Sequence, residues 1–140
     1  MNESAERWLG FAHEDLASAK SVLRDEIYNQ VCFHSQQCAE KALKAVIGDA
    51  DRIPPRTHSI AELFAAMPAD LKTALDENVT SLDDYYIPTR YPDALPGTLA
   101  DGMPGEGMAK QALEVAEITL RRVEQFLKGR ANAILNPPES

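Results

Sequence analysis

The sequence predicts an all-α fold, an up-and-down bundle of three long helices with one or two short ones. Apolar residues recur at spacings of three and four along three long segments, which is the period of an amphipathic helix. No segment shows the strict apolar–polar alternation that is typical of a half-buried strand. Prolines and glycines lie between the periodic segments, where helices have to end.

The first two long helices are predicted over residues 4–23 and 28–47. The apolar side of the first helix consists of Trp8, Leu9, Phe11, Ala12, Leu16, Ala19, Val22 and Leu23. The apolar arc of the second helix consists of Val31, Ser35, Cys38, Ala39, Ala42, Leu43 and Val46. We expect Gly48 to be the C-cap of the second helix, because glycine adopts the left-handed conformation that often follows a last helical turn.

A linker over residues 49–58 separates these helices from two short ones. Its two consecutive prolines exclude a helix, because proline lacks a backbone N–H and clashes with the preceding turn. Ser59 and Glu62 have the spacing of a capping box, which predicts a short helix that begins there. Leucine and valine at helical spacing predict a further helix over residues 71–82.

The last long helix is predicted over residues 107–128, with Gly129 as its end. A long loop rich in proline, glycine and tyrosine precedes it and begins with LDDYYIPTRYPDALPG at residues 82–97. A chain of 140 residues is long enough to bury one hydrophobic core. We therefore expect one domain over residues 1–129 and a flexible C-terminal tail over residues 130–140.

Composition and charge limit the function classes. The net charge of −8 argues against a protein that coats duplex DNA through a broad basic face. No apolar run approaches the roughly 18 residues that a membrane span needs, and the N-terminus lacks a signal pattern, so a cytoplasmic location is expected. Cys32 and Cys38 lie about 9 Å apart along one helix, too far for a disulfide. We expect buried thiols, no metal site and no cofactor.

Polar side chains form a stripe on the second helix. His34, Gln37, Lys41 and Lys44 fall within an arc of about 80° on the helical wheel. One imidazole, one amide and two ammonium groups on one face could hold a phosphate or a nucleotide. The alternative is a solvated face on which Glu40 and Lys44 form an ordinary surface pair.

Asp15 lies within the apolar arc of the first helix and needs a partner, because an unpaired buried charge is costly. Either it makes a structural hydrogen bond, or it orients a cationic or imidazole group in a cleft, with Arg90 and His34 as candidate partners. His58 immediately precedes a predicted helix. It is either an acid–base group of the cleft or a helix-start residue without chemistry.

The loop before the last helix holds further candidates. Pro88 and Pro92 enforce extended backbone, so the residues between them are presented on a stiff segment. Arg90 could pair with a phosphate or a buried carboxylate, and Tyr86 and Tyr91 could stack on a base. The alternative is a rigid cover over the hydrophobic core.

Four segments in a fixed order make the chain similar to the HEPN family (higher eukaryotes and prokaryotes nucleotide-binding domain). They are AHEDLASAKSVL, YNQVCFHSQQCAEKALKAVI, PPRTHSIAEL and YYIPTRYPD. The resemblance implies a helical bundle that often forms a homodimer. It also implies association with a minimal nucleotidyltransferase in a two-gene, toxin–antitoxin-like module. It places His34, Gln37, Lys41, His58, Tyr86, Arg90 and Tyr91 in a nucleotide- or phosphate-binding cleft with Asp15 as orienting carboxylate.

Several HEPN proteins are metal-independent ribonucleases that use an arginine followed four to six residues later by a histidine. Arg90 has no histidine at that spacing, so ribonuclease activity is not carried over from the resemblance. The first hypothesis is therefore a nucleotide- or RNA-binding partner of a minimal nucleotidyltransferase. The alternatives are a metal-independent ribonuclease with a variant site and a non-catalytic dimeric interaction protein.

Overall fold

The computed structural model of the protein describes residues 1–85 and 103–135, and for the last two of these the backbone alone. The described residues contain five α-helices and one 3₁₀ helix, and no strand. The α-helices are α1 (Glu3–Arg24), α2 (Tyr28–Asp49), α3 (Ile60–Ala65), α4 (Ala69–Ala74) and α5 (Glu106–Leu135), and the 3₁₀ helix spans Glu77–Tyr85. The predicted all-α bundle of three long helices is confirmed. Most of the predicted proline–tyrosine loop lies outside the described residues.

The start of α1 is tied to the end of α2 through Asn2. Its side-chain oxygen accepts the N–H of Ala5 at 2.8 Å, which caps α1. Its own backbone N–H donates to Asp49 Oδ1 at 2.9 Å, and its amide nitrogen donates to the carbonyl of Gly48 at 2.7 Å. These bonds hold α1 and α2 as an antiparallel pair.

Gly48 is not the C-cap that we predicted, because α2 continues through it to Asp49. The residue is buried against the first turn of α1. A Cβ added there would overlap Ser4 Oγ and lie 3.3 Å from Ser4 Cβ and 3.6 Å from Trp8 Cδ1. The glycine therefore allows a close approach of two helices and does not end one.

We expect Gly48→Ala to lower the free energy of unfolding by about 1–3 kcal/mol, the usual cost of overpacking. Urea denaturation followed by circular dichroism measures it. The matched control is Gly10→Ala, since a Cβ at this exposed helical position meets nothing within 4 Å. The control should stabilise the protein slightly through helix propensity. A Gly48→Ala variant as stable as the Gly10→Ala variant would contradict the close-packing account.

α2 is the central helix of the bundle. It packs against α1, α3, the 3₁₀ helix and α5, and buried side chains occur all around its circumference. The large side chains that are almost fully buried in the bundle include Val31, Leu43, Ile60, Leu63, Leu71, Leu82, Leu120, Val123 and Leu127. A helix enclosed on this many sides buries polar residues together with apolar ones.

The helix predicted over residues 71–82 is in fact two elements. α4 ends where Leu75 adopts an extended conformation, and Asp76 Oδ1 then accepts the N–H of Asn78 at 3.0 Å. This side-chain bond favours a turn over continued α-helix. Asp83 of the 3₁₀ helix accepts the first N–H groups of α3, from Ile60 at 2.6 Å and from Ala61 at 2.9 Å.

The last helix also differs from the prediction. α5 runs through Gly129 to Leu135, so the predicted end at Gly129 is wrong. A helix tolerates glycine at a cost of about 1 kcal/mol. The glycine signal therefore marked a weak point of the helix and not its end. Residues 136–140 of the predicted tail lie outside the described residues.

Both cysteines are free and buried, as predicted. Burial raises the pKa of the Cys32 and Cys38 thiols to about 12, so both stay protonated at neutral pH. Within residues 1–85 and 103–135, no helix is long and apolar enough to cross a bilayer. The same residues contain no cluster of three or more side chains suited to hold a metal ion.

Candidate functional site

Asp15 joins two side chains of α2. Its Oδ1 lies 3.0 Å from His34 Nδ1, and its Oδ2 accepts a hydrogen bond from Lys41 Nζ. The carboxylate is 12% exposed, whereas the imidazole and the ammonium group are each about one quarter exposed. We call these three residues the Asp15 cluster. The predicted contact of Asp15 with His34 is present, and Lys41 is a second partner.

Helix geometry explains how the cluster forms. His34 and Lys41 are seven residues apart, which is two turns, so both side chains leave α2 on the same face. α1 runs antiparallel beside that face, and Asp15 lies near its middle. One carboxylate on α1 can therefore reach both polar groups of α2.

The ionisation state of Asp15 follows from two opposing effects. Burial raises the pKa of its carboxyl group, while hydrogen bonds from His34 and Lys41, together with their positive charges, lower it. The lowering effects prevail, and the pKa lies below the ordinary value of 3.8. Asp15 is therefore a carboxylate at neutral pH.

The charge on Asp15 determines how His34 is protonated. An ionised carboxylate only accepts hydrogen bonds, so His34 Nδ1 carries the proton of the contact. The other ring nitrogen, Nε2, is then the atom available for a ligand. Lys41 spends one of its three ammonium donors on Asp15 and keeps two.

A second polar group surrounds Glu40, whose side chain is 3% exposed. Lys44 Nζ lies 3.2 Å from Glu40 Oε2, and His58 Nδ1 lies 3.0 Å from Glu40 Oε1. The Lys44 ammonium group is also 5.4 Å from the centroid of the Trp8 ring, within range of a cation–π contact. We call Glu40, Lys44 and His58 the Glu40 cluster.

The Glu40 cluster corrects one sequence interpretation. Glu40 and Lys44 were expected to form a surface pair if the polar stripe were solvated, but both are buried. Lys44 packs against Trp8 of α1, and His58 from the linker reaches Glu40. Spacing within α2 showed that these residues are one turn apart, but not that neighbouring elements cover them.

Gln36 and Gln37 extend the second cluster. Gln37 Nε2 donates to Gln36 Oε1 at 2.6 Å, and Gln36 Nε2 donates to the backbone carbonyl of His58 at 2.9 Å. Gln36 is fully buried and was not among the predicted residues. A polar residue next to the apolar arc, at a position facing α3, was the only sequence signal for it.

The structure thus divides the predicted residues into three sets. His34, Lys41 and Asp15 meet in one cluster, and His58 and Gln37 belong to the hydrogen-bonded surroundings of Glu40. Tyr86, Arg90 and Tyr91 lie outside the described residues, so their predicted place over the cleft remains a prediction.

The chain is similar to proteins of one family. A family model of the HEPN domain matches residues 5–126. The chain is 31% identical over 128 residues to Putative toxin MJ1304 of Methanocaldococcus jannaschii, and the alignment covers 84% of each chain. Two solved structures match 89% of this chain and 98% of their own. They are TT1696 from Thermus thermophilus, with a TM-score of 0.73 and 36% identity, and ST0689, an archaeal HEPN homologue, with 0.66 and 34%.

Proposed function

The chain belongs to the HEPN domain family, and on this basis we propose that it binds a nucleotide or RNA at the Asp15 cluster. We further propose that it works beside a minimal nucleotidyltransferase in a two-gene, toxin-like module. The name of the M. jannaschii relative supports the toxin-like part. The geometry of the Asp15 cluster supports the binding part.

One observation carries the proposal. A single buried carboxylate holds an imidazole and an ammonium group on the same face of α2. Because Asp15 restrains both groups, little conformational entropy is lost when they bind a ligand. A phosphate can accept hydrogen bonds from His34 Nε2 and from Lys41 Nζ, and charge-assisted bonds of this kind are strong.

The loop residues complete the proposed site. Arg90 would supply a bidentate partner for phosphate, and Tyr86 and Tyr91 would stack on a base. The partner enzyme would act on a ligand held here or would modify this chain itself, with a loop tyrosine as acceptor. The chain would act as a homodimer, as the family resemblance implies.

We expect Lys41→Gln to weaken nucleotide binding by about 10- to 100-fold, since a hydrogen bond to a charged group contributes about 1.5–3 kcal/mol. Isothermal titration with mononucleotides and a short single-stranded RNA measures the dissociation constants. The matched control is Lys20→Gln, because Lys20 is an exposed lysine of α1 that pairs with Glu117 of α5. Equal affinities of the Lys41→Gln variant and the parent, where the parent binds measurably, would exclude this site.

A second function is favoured by the two carboxylate–imidazole pairs, Asp15 with His34 and Glu40 with His58. In a ribonuclease one imidazole would take the proton of the 2′-hydroxyl as its oxygen attacks phosphorus. The other would give a proton to the leaving 5′-oxygen. Lys41 and Arg90 would stabilise the negative charge on the phosphorane.

Incubation of the purified protein with RNA and a chelator separates the two functions. The ribonuclease hypothesis expects cleavage in EDTA that both His34→Asn and His58→Asn abolish. The binding hypothesis expects intact RNA that the parent retains. Cleavage that survives both substitutions would indicate a contaminant or a different site.

The partner enzyme is tested separately. Co-expression with a minimal nucleotidyltransferase encoded beside this gene should yield a complex on gel filtration. Mass spectrometry of the co-purified chain would reveal an added nucleotidyl group. Absence of both results would leave the binding proposal standing and remove the proposed module.

A further inference from the structure

A cavity of about 710 Å³ lies between the C-terminal end of α2, the proline-containing linker, α3–α4 and α5. Its volume is within the range of about 300–1,000 Å³ that is typical of small-molecule sites. Val46 and Ile47 of α2 and Phe126 of α5 supply apolar lining, and none of these residues belongs to either polar cluster. The cavity therefore offers an apolar surface that the proposed function does not use.

Two arginines line the same cavity, Arg52 from the linker and Arg130 from α5. Neither guanidinium group lies within 4.0 Å of a carboxylate in the part of the chain that the structure describes. The guanidinium of Arg130 lies 5.7 Å from the centroid of the Phe126 ring. Two guanidinium groups without carboxylate partners beside an aromatic ring suit a flat ligand that carries a negative charge.

Ile53 stands at the cavity with 94% of its surface exposed. A large aliphatic side chain gains no burial energy in that position, at about 25 cal/mol per Å² of apolar area. The prolines that follow it limit the backbone freedom of the linker. A ligand in the cavity would cover Ile53 at little entropic cost to the linker.

We propose that this cavity binds an aromatic anion, a flat ring system with one terminal phosphate or carboxylate group. The ring lies against Phe126, Ile47 and Ile53, and the anionic group pairs with Arg52 and Arg130. Glu62 of α3 and Asp70 of α4 line the other side and repel a second anionic group. This site is separate from the Asp15 cluster and does not depend on the proposed function.

Two aromatic probes test the site, adenosine 5′-monophosphate and 2-naphthoate, because the ring and the anion could come from a nucleotide or from an aromatic acid. Isothermal titration of the full chain should give saturable binding of at least one of them. Octanoate and inorganic phosphate, which lack the ring, should bind at least tenfold more weakly. Equal binding of all four probes would overturn the proposal.

Arg52→Gln and Arg130→Gln should each weaken the bound aromatic probe by at least about tenfold, the loss of one charge-assisted bond. The matched control is Arg122→Gln, an exposed arginine of α5 that does not line the cavity. Binding that neither cavity variant affects, or that Arg122→Gln weakens equally, would overturn the proposal.

Lys41→Gln distinguishes this site from the Asp15 cluster. Binding of the aromatic probe at the cavity should survive that substitution. Loss of adenosine monophosphate binding in Lys41→Gln, with no effect of the cavity variants and no binding of 2-naphthoate, would overturn the cavity proposal and support the proposed function.

Discussion

Glu40→Ala is expected to lower the free energy of unfolding by about 3–5 kcal/mol, the cost of breaking a buried ion pair. The substitution removes a carboxylate that is 3% exposed and leaves the 7% exposed ammonium group of Lys44 without its counterion. His58 loses its partner at the same time. Urea denaturation at pH 7, followed by circular dichroism, measures the change.

A double variant separates the orphaned charge from lost packing. Glu40→Met with Lys44→Met removes both charges and keeps side chains of similar length. Replacing a buried pair by apolar residues is often neutral or stabilising by about 1–4 kcal/mol. We therefore expect the double variant to be more stable than Glu40→Ala. If both variants lose the same free energy, the loss comes from packing and not from charge.

The exposed pair of Glu106 and Lys110 provides the control for the Glu40 prediction. It has the same spacing as Glu40 and Lys44, but both side chains are more than half exposed. Lys110→Ala should leave the free energy of unfolding nearly unchanged, because exposed ion pairs contribute little.

Asp15→Asn is expected to lower the free energy of unfolding at pH 7 by about 2–3 kcal/mol, between the values for exposed and buried ion pairs. Asparagine keeps the shape of the side chain but cannot balance the charges of His34 and Lys41. The same variant should weaken nucleotide binding, because Asp15 no longer holds both groups in place.

The Asp15 prediction has a pH signature. The pKa of Asp15 in the folded chain is below 3.8, so its stabilising contribution is complete above that value. The contribution is lost as the pH falls from about 3.8 through the folded pKa. The stability difference between the parent and Asp15→Asn should therefore narrow in this window.

Urea denaturation at a series of pH values from 7 to about 2.5 measures this difference across the window in which the carboxylate gains its proton. Glu14→Gln is the control, since Glu14 is an exposed carboxylate next to Asp15 on α1. A Glu14→Gln variant should follow the parent at every pH. A constant difference between the parent and Asp15→Asn down to the lowest pH would contradict the lowered pKa.

Local patterns predicted most of the helices because each of them has an apolar face. α1 and α2 begin and end within two residues of their predicted bounds. The predictions failed where a side chain or a neighbouring helix outweighed the pattern. Asp76 ends the α-helical run beside Leu75, and Gly48 serves a helix contact.

The candidate site was predicted in part for the same reason. Helical period alone places His34 and Lys41 on one face, and the apolar arc of α1 shows that Asp15 needs a partner. The order of four segments also indicated the HEPN family, which the family match confirms. None of these observations shows which atoms meet, because they describe one helix at a time.

The sequence by itself therefore determined the fold class, the three long helices, the family and the residues that share a helix face. Only the tertiary structure decided that one carboxylate holds His34 and Lys41 together and that Glu40 and Lys44 are buried. Periodicity is a property of a single helix and is set by local geometry. Burial and ion pairing depend on which other elements pack against each face of that helix, and those elements come from distant parts of the chain.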